Sequence, residues 1–284
     1  MATAVSVPTQ APTPTPAIRP RSPAFDFGAV QRHWFAGNLV TTHLANGLNL
    51  LFPAGERFFV RSVRYFVDRI DDPKLREDIR GFTGQEGLHA YAHEQYFQAL
   101  ERQGYDVQTF LRLYEKIAFG LAESAFPPEM RLSVTAACEH FTATMATHAL
   151  QRYADDKMLV TEPAMRALFL WHAVEEIEHR SVAFDVLRTV NPSYALRVTG
   201  FALASSLLFG LWMTAAATLI AQEKAPPRKV LKALRARRRA QLKNGGKRTD
   251  YGKAIRDYLR RDFHPSQDTH CDELARRYAA DAGL

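Results

Sequence analysis

Apolar residues recur along this chain at three- and four-residue spacing, and no run of strict alternation is bounded by turn signals. The pattern predicts an all-α protein. A first helix is predicted from about Ala29 to Leu51, closed by a corner at Pro53-Ala54-Gly55. The next stripe carries Glu56, Phe59, Val60, Val63, Val67 and Ile70. Asp71-Asp72-Pro73 then caps a helix reaching about Gln103, with proline in its first turn. Residues 106–124 read as an amphipathic connector ended by Pro127-Pro128. Two more helices are predicted over 128–154 and from Glu162-Pro163 to about Val190. Val198–Ala221 follows as an apolar helix without a charge.

Several of these apolar stripes hold acids and histidines, which is costly unless the groups are paired or bound to metal. They are Glu56, then Glu86 with His89, then Glu139, then Glu176 with His179. One Glu from each of two helices and Glu-x-x-His from each of two others is the inventory of a two-metal centre in a helical bundle. His172 lies one turn before Glu176, so His172, Glu176 and His179 fall within about 60° on one helix face. His93, His140, Glu175 and Glu178 flank the set and read as supporting residues. Tyr65 and Tyr91 fall on the far side of their helices from the nearest of the six residues. Arg57 and Arg61 lie near Glu56 in sequence and are the nearest cations to it. Gly81, Gly84 and Gly87 each cost roughly 1 kcal/mol relative to Ala in a helix, so close approach of a neighbour is expected there. Thr142, Ala143 and Ala146 leave room past Glu139 for a substrate or dioxygen.

Composition refines this picture. With 46% apolar residues, 284 residues can build one sizeable core. The net charge of +7 is local, because Lys224–Arg248 holds eleven Lys and Arg and no acid, leaving 26 basic against 30 acidic residues elsewhere. Two cysteines, Cys138 and Cys271, make no disulfide framework and fit a reducing, cytoplasmic setting. The expected organisation is a disordered Pro-rich tail over 1–24, a ferritin-like di-metal domain over 25–222 with additional N- and C-terminal helices around its four-helix bundle, and a basic helical extension over 223–284. The segment 198–221 is long enough to cross a bilayer, at about 20 residues, but a buried bundle helix is the first expectation. Peripheral contact with an anionic membrane, aided by the basic run, is the second. No nucleic-acid partner is expected, since the basic run lacks interleaved aromatics.

Three motifs carry a family resemblance: Phe52-Pro-Ala-Gly-Glu56-Arg-Phe-Phe-Val-Arg61, Gly84-Gln-Glu86-Gly-Leu-His89-Ala90 and Glu175-Glu176-Ile-Glu-His179. Over about residues 35–265 the chain resembles a bacterial family known as predicted metal-dependent hydrolases. Its ligand order, with His172 preceding Glu176 and His179, also resembles the di-iron arylamine N-oxygenases, in which an extra histidine binds one iron. These resemblances imply metal roles for Glu56, Glu86, His89, Glu139, His172, Glu176 and His179.

A carboxylate-rich set of this kind suits two iron ions, with manganese as the alternative. The first functional expectation is a di-iron oxidoreductase that activates dioxygen to oxidise a small-molecule or lipid-like substrate, fed by an external electron donor. The alternative is a metal-dependent hydrolase using a hydroxide bridged by two metals. Iron storage ranks below both, and a homodimer is the expected assembly if the chain associates.

Overall fold

The computed structural model describes residues 18–155, 160–243 and 251–284. The first 17 residues of the expected tail, and Lys247-Arg248 of the basic run, lie outside them. The protein is all-α, and no strand occurs among the described residues. In chain order the helices are α1 (Leu39–Arg64), α2 (Pro73–Arg102), α3 (Gln108–Glu115), α4 (Glu123–Ala125), α5 (Pro128–Ala154), α6 (Pro163–His179), α7 (Val182–Val190), α8 (Tyr194–Gln222), α9 (Pro227–Lys243), α10 (Tyr251–Tyr258) and α11 (His270–Ala282). A π-helical segment, Lys116–Ala122, joins α3 to α4.

Helices α1, α2, α6 and α5 touch in a closed ring, with α8 packed across α1 and α5 and α11 across α5 and α6. Apolar side chains sit at either end of this ring. On α1 the order is Leu50 and Leu51, then Glu56, then Phe58 and Val63. On α2 the order reverses, from Ile79 and Phe82 through Glu86 and His89 to Tyr96 and Leu100. The polar residues therefore meet at mid-height between two apolar clusters.

Several segments differ from the sequence expectation. Helix α1 starts at Leu39, ten residues later than expected, because Ala36 and Gly37 take positive φ (52° and 67°). Asn38 then caps the helix, its Oδ1 accepting from Thr41 N at 3.0 Å. Phe27, Val30 and Trp34 before it are buried, so the apolar spacing there reflects core contact without a helix.

The corner expected at Pro53 is absent, and α1 runs through it with Pro53 buried. An interior proline costs about 3 kcal/mol; burial of Leu50, Leu51, Ala54 and Phe58 on the same helix offsets it. The helix expected to reach Val190 unbroken stops at His179, where the Arg180 guanidinium donates to Ile177 O (2.5 Å) and pairs with Asp272 (2.7 Å). Finally, α8 is buried along one face only. Gly200 and Gly47 allow that contact, since a Cβ would meet Ser133 Oγ at 2.1 Å or Ala216 N at 2.8 Å. Its opposite face, with Ser206, Leu207, Gly210 and Met213, is exposed, so α8 is not the buried bundle helix first expected.

Residues 18–24, expected as part of the disordered tail, run in irregular conformation along α2. They explain two glycines: a Cβ on Gly81 would lie 2.5 Å from Ile18 O, and one on Gly84 would lie 2.4 Å from Pro20 Cγ. Gly87 faces open space.

Candidate metal centre

All seven residues singled out from the sequence converge, and each is at most 5% exposed. Helix α1 supplies Glu56, α2 Glu86 and His89, α5 Glu139, and α6 His172, Glu176 and His179. His179 Nε2 lies 3.0 Å from Glu86, 3.4 Å from Glu139 and 3.7 Å from Glu176. His172 Nε2 lies 2.8 Å from Glu176 and 3.7 Å from Glu56, and His89 Nδ1 lies 3.8 Å from Glu176. Overlapping triads bring donor atoms of Glu56, Glu86, His89, His172, Glu176 and His179 within 4.8 Å of one another, with His93 joining Glu56 and His172 in one of them.

The chemistry of the centre shows in what its atoms lack. Both carboxylate oxygens of Glu56, Glu86 and Glu139, Glu176 Oε2, His89 Nδ1 and His179 Nε2 are buried without a hydrogen-bond partner. An unpaired buried polar group costs about 1–3 kcal/mol, and more when charged. Orphaned atoms that all face one point fit metal ions as their missing partners.

The metal-free electrostatics agree. Burial, then the neighbouring carboxylates, raises Glu56 and Glu86 well above the ordinary range, while the nearby His179 imidazole opposes the rise of Glu86. Glu139 is raised to about 7, chiefly by burial. Burial also works to raise Glu176, but the hydrogen bond from His172 and the nearby His179 imidazole outweigh it and hold this carboxylate well below its usual value. His179 moves the other way, since three carboxylates overcome its burial and raise it well above its usual value. Burial, reinforced by His172, pushes His89 well down. Protons thus stand in the metal-free centre where cations would go.

A surrounding layer fixes the imidazoles. Glu175 Oε2 lies 2.9 Å from His89 Nε2, which leaves Nδ1 directed into the centre. Gln85 Oε1 lies 2.9 Å from His179 Nδ1, which leaves Nε2 inward. Outer partners of this kind set tautomer and orientation in metal sites. Arg21 from the N-terminal segment locks the layer, donating from its backbone N and Nη1 to Glu175 (3.1 and 3.2 Å) and from Nη1 and Nη2 to Glu178 (2.8 and 2.6 Å). Gln85 Nε2 also donates to Glu178 at 2.8 Å and to Arg19 O at 3.2 Å.

His93 has both nitrogens engaged, with Asn49 Oδ1 at 2.6 Å and His172 Nδ1 at 2.7 Å, so it supports His172. His140 instead meets Ala254 O of α10 at 2.9 Å. Arg57 and Arg61 point outward to Glu94 (2.6 Å) and Glu123 (2.7 Å). Gln85, Asn49 and Arg21 were not singled out from the sequence. Gln85 alone carried a signal there, lying one helical turn before His89.

Two cavities border the centre and share Leu48, Phe52 and Thr142. One, of about 770 Å³, reaches His172 and Glu176 and extends past Ala146 and Trp212 to Ala240 of α9. The other, of about 100 Å³, reaches Glu56 and Cys138 between apolar walls such as Phe58 and Phe119. Thr142 and Ala146 thus line open space as expected, whereas Ala143 packs into an apolar cluster with Leu150 and Leu274.

His33, His43 and Glu223 form another group with metal-ligand composition. There Glu223 Oε1 already meets both histidines (2.8 and 2.9 Å), Arg32 and Tyr105, in a knot between the start of α1 and the end of α8 that leaves only His43 Nδ1 buried without a partner. The central set differs in leaving most of its carboxylate oxygens and two imidazole nitrogens without partners.

No curated protein and no solved structure matches the chain. A family model described as predicted metal-dependent hydrolase matches residues 19–269, which takes in every residue of the centre. The resemblance carried by the three motifs is thereby confirmed, and the chain belongs to the predicted metal-dependent hydrolases.

Proposed function

We propose that Glu56, Glu86, His89, Glu139, His172, Glu176 and His179 hold two metal ions, and that the protein is a metal-dependent hydrolase acting on a small molecule with a largely apolar body. The observation that carries this reading is the set of orphaned carboxylate and imidazole atoms sealed inside the helix ring. Four carboxylates can balance two dications, and ligands from four helices match the two-metal bundle arrangement. When bound, such ions supply Lewis acidity and bring the pKa of coordinated water into the neutral range.

The remaining work belongs to the chain. Glu175 and Gln85 orient the imidazoles. The Thr142 hydroxyl donates to its own helix at Glu139 O (3.1 Å), which quiets the one hydroxyl shared by both cavities. Leu48, Phe52 and Ala146 shield the substrate body from water beside the centre.

A second reading, oxygen activation by two iron ions with an external electron donor, rests on the donor set. Four carboxylates and three imidazoles suit iron. The two readings part in one experiment. Protein loaded with zinc or manganese is assayed under nitrogen against carboxyl and phosphate esters with apolar chains, and iron-loaded, reduced protein is assayed for oxygen uptake. Anaerobic ester cleavage supports hydrolysis. Oxygen uptake with no cleavage by any loaded form supports the second reading and removes the first.

A further inference from the structure

Helix α9 has the sequence PRKVLKALRARRRAQLK, with eight Lys and Arg and no Asp or Glu. Its small residues face the protein. Ala233 O accepts from Asn38 Nδ2 at 2.9 Å, and Ala236 and Ala240 line the large cavity. Its large apolar residues face away: Leu231, Leu234 and Leu242 are 47%, 44% and 67% exposed. These leucines lie within about 80° on one helix face, with Arg235 and Arg238 among them. A surface helix that meets only water turns its apolar side inward, and α9 does the reverse.

The preceding helix adds an independent observation. From Val198 to Gln222, α8 carries no charge, yet Ala202, Ser206, Gly210, Met213 and Ala217 are exposed. The hydroxyls on that side are bonded within the helix, Ser206 to Ala202 O (2.9 Å) and Thr214 to Gly210 O (2.8 Å). Such a face asks nothing of water.

We propose that α9 docks the protein on an anionic bilayer surface. Leu231, Leu234 and Leu242 would enter the boundary between headgroups and acyl chains, and the flanking arginines would meet lipid phosphates. A bilayer satisfies both sets of side chains. A nucleic acid would meet the cations but press three leucines against phosphates, and a second copy would bring two polybasic faces together. Docking by the leucine face leaves Ala236 and Ala240 on the cavity side of α9, so the large cavity lies directly behind the docked helix and an amphiphile would enter around it toward His172 and Glu176. That last step rests on the proposed metal centre, whereas the docking does not.

The test uses the full chain, with vesicles of phosphatidylcholine alone or mixed with phosphatidylglycerol, in co-sedimentation at low and high salt. The protein is expected to sediment only with the anionic vesicles and to be released as salt rises. At roughly fivefold per charge, Arg235→Gln with Arg238→Gln should lower partition about 25-fold. Leu231→Ser with Leu234→Ser should lower it several-fold at unchanged charge, with circular dichroism confirming that both variants remain helical.

Equal binding to neutral vesicles, or binding unchanged in both double variants, overturns the proposal. So does retention of a DNA duplex in place of vesicles, or a dimer that the leucine variant converts to monomer without loss of vesicle binding. Metal content is measured alongside. A metal-free chain that still sediments with anionic vesicles contradicts the proposed function and leaves the docking intact.

Discussion

Removing Glu175 tests whether the layer around the centre positions the proposed metal ligands. In the native protein Glu175 Oε2 sits 2.9 Å from His89 Nε2, and both side chains are fully buried. In Glu175→Ala the imidazole loses the acceptor that fixes its tautomer, and Nε2–H is left buried without a partner. The loss of such an outer partner lowers metal affinity about 10–100-fold, or about 1.4–2.8 kcal/mol. Arg21 keeps Glu178, so the N-terminal segment is expected to stay in place. Glu175→Gln retains an acceptor oxygen for His89 and should lose less than about tenfold. Competition between the protein and a chelator for manganese or cobalt measures both variants, with thermal unfolding to confirm that each remains folded. If the alanine variant binds metal within about twofold of the native protein, against the expected loss of at least about tenfold, His89 is not oriented by Glu175 and the positioning argument fails.

Glu139, raised to about 7 in the metal-free fold, makes stability depend on pH. Its folded value lies above the unfolded one near 4.5, so its contribution is complete below about pH 4.5 and is lost as pH rises through about 7. Urea titrations of the metal-free protein at acid and alkaline pH should differ by about 3 kcal/mol from this group, and saturating metal should abolish that difference. Gly84→Ala places a Cβ 2.4 Å from Pro20 Cγ and should displace the segment that carries Arg21. Faster tryptic cleavage at Arg21, with metal affinity reduced about tenfold through Glu175, is the expected result. Ala146→Leu fills the cavity wall without touching the seven residues. It should cut turnover of long-chain substrates at least about tenfold by displacing the substrate from its reacting position, with metal content unchanged.

The centre was legible because a helix repeats every 3.6 residues and an acid on an apolar stripe must be accounted for. Glu56 and Glu139 stood out for that reason, as did the two Glu-x-x-His pairs. Glu175, Glu178 and His93 in the layer behind them read as supporting residues, but Gln85 and Arg21 were hidden because their bonds cross between elements. Gln85 serves His179 on another helix, and Arg21 comes from a Pro-rich stretch with no periodicity. The length of α1 was misread because Pro53 breaks helices locally, while burial on both sides of it holds this one together. The stop at His179 was invisible because Arg180 meets partners about ninety residues away in sequence. Length and hydropathy marked α8 as apolar, but which of its faces is covered depends on contacts with α1 and α5 that periodicity does not encode.

The central claim is that the seven buried side chains hold two metal ions. Elemental analysis of the native protein, purified without chelator and then loaded with ferrous or manganous ion, tests it most directly. About two ions per chain are predicted, as in other bundle centres with this ligand inventory, falling sharply when Glu139 or His179 is replaced by alanine. A chain that retains no ion above background, or whose metal content is indifferent to both substitutions, contradicts it.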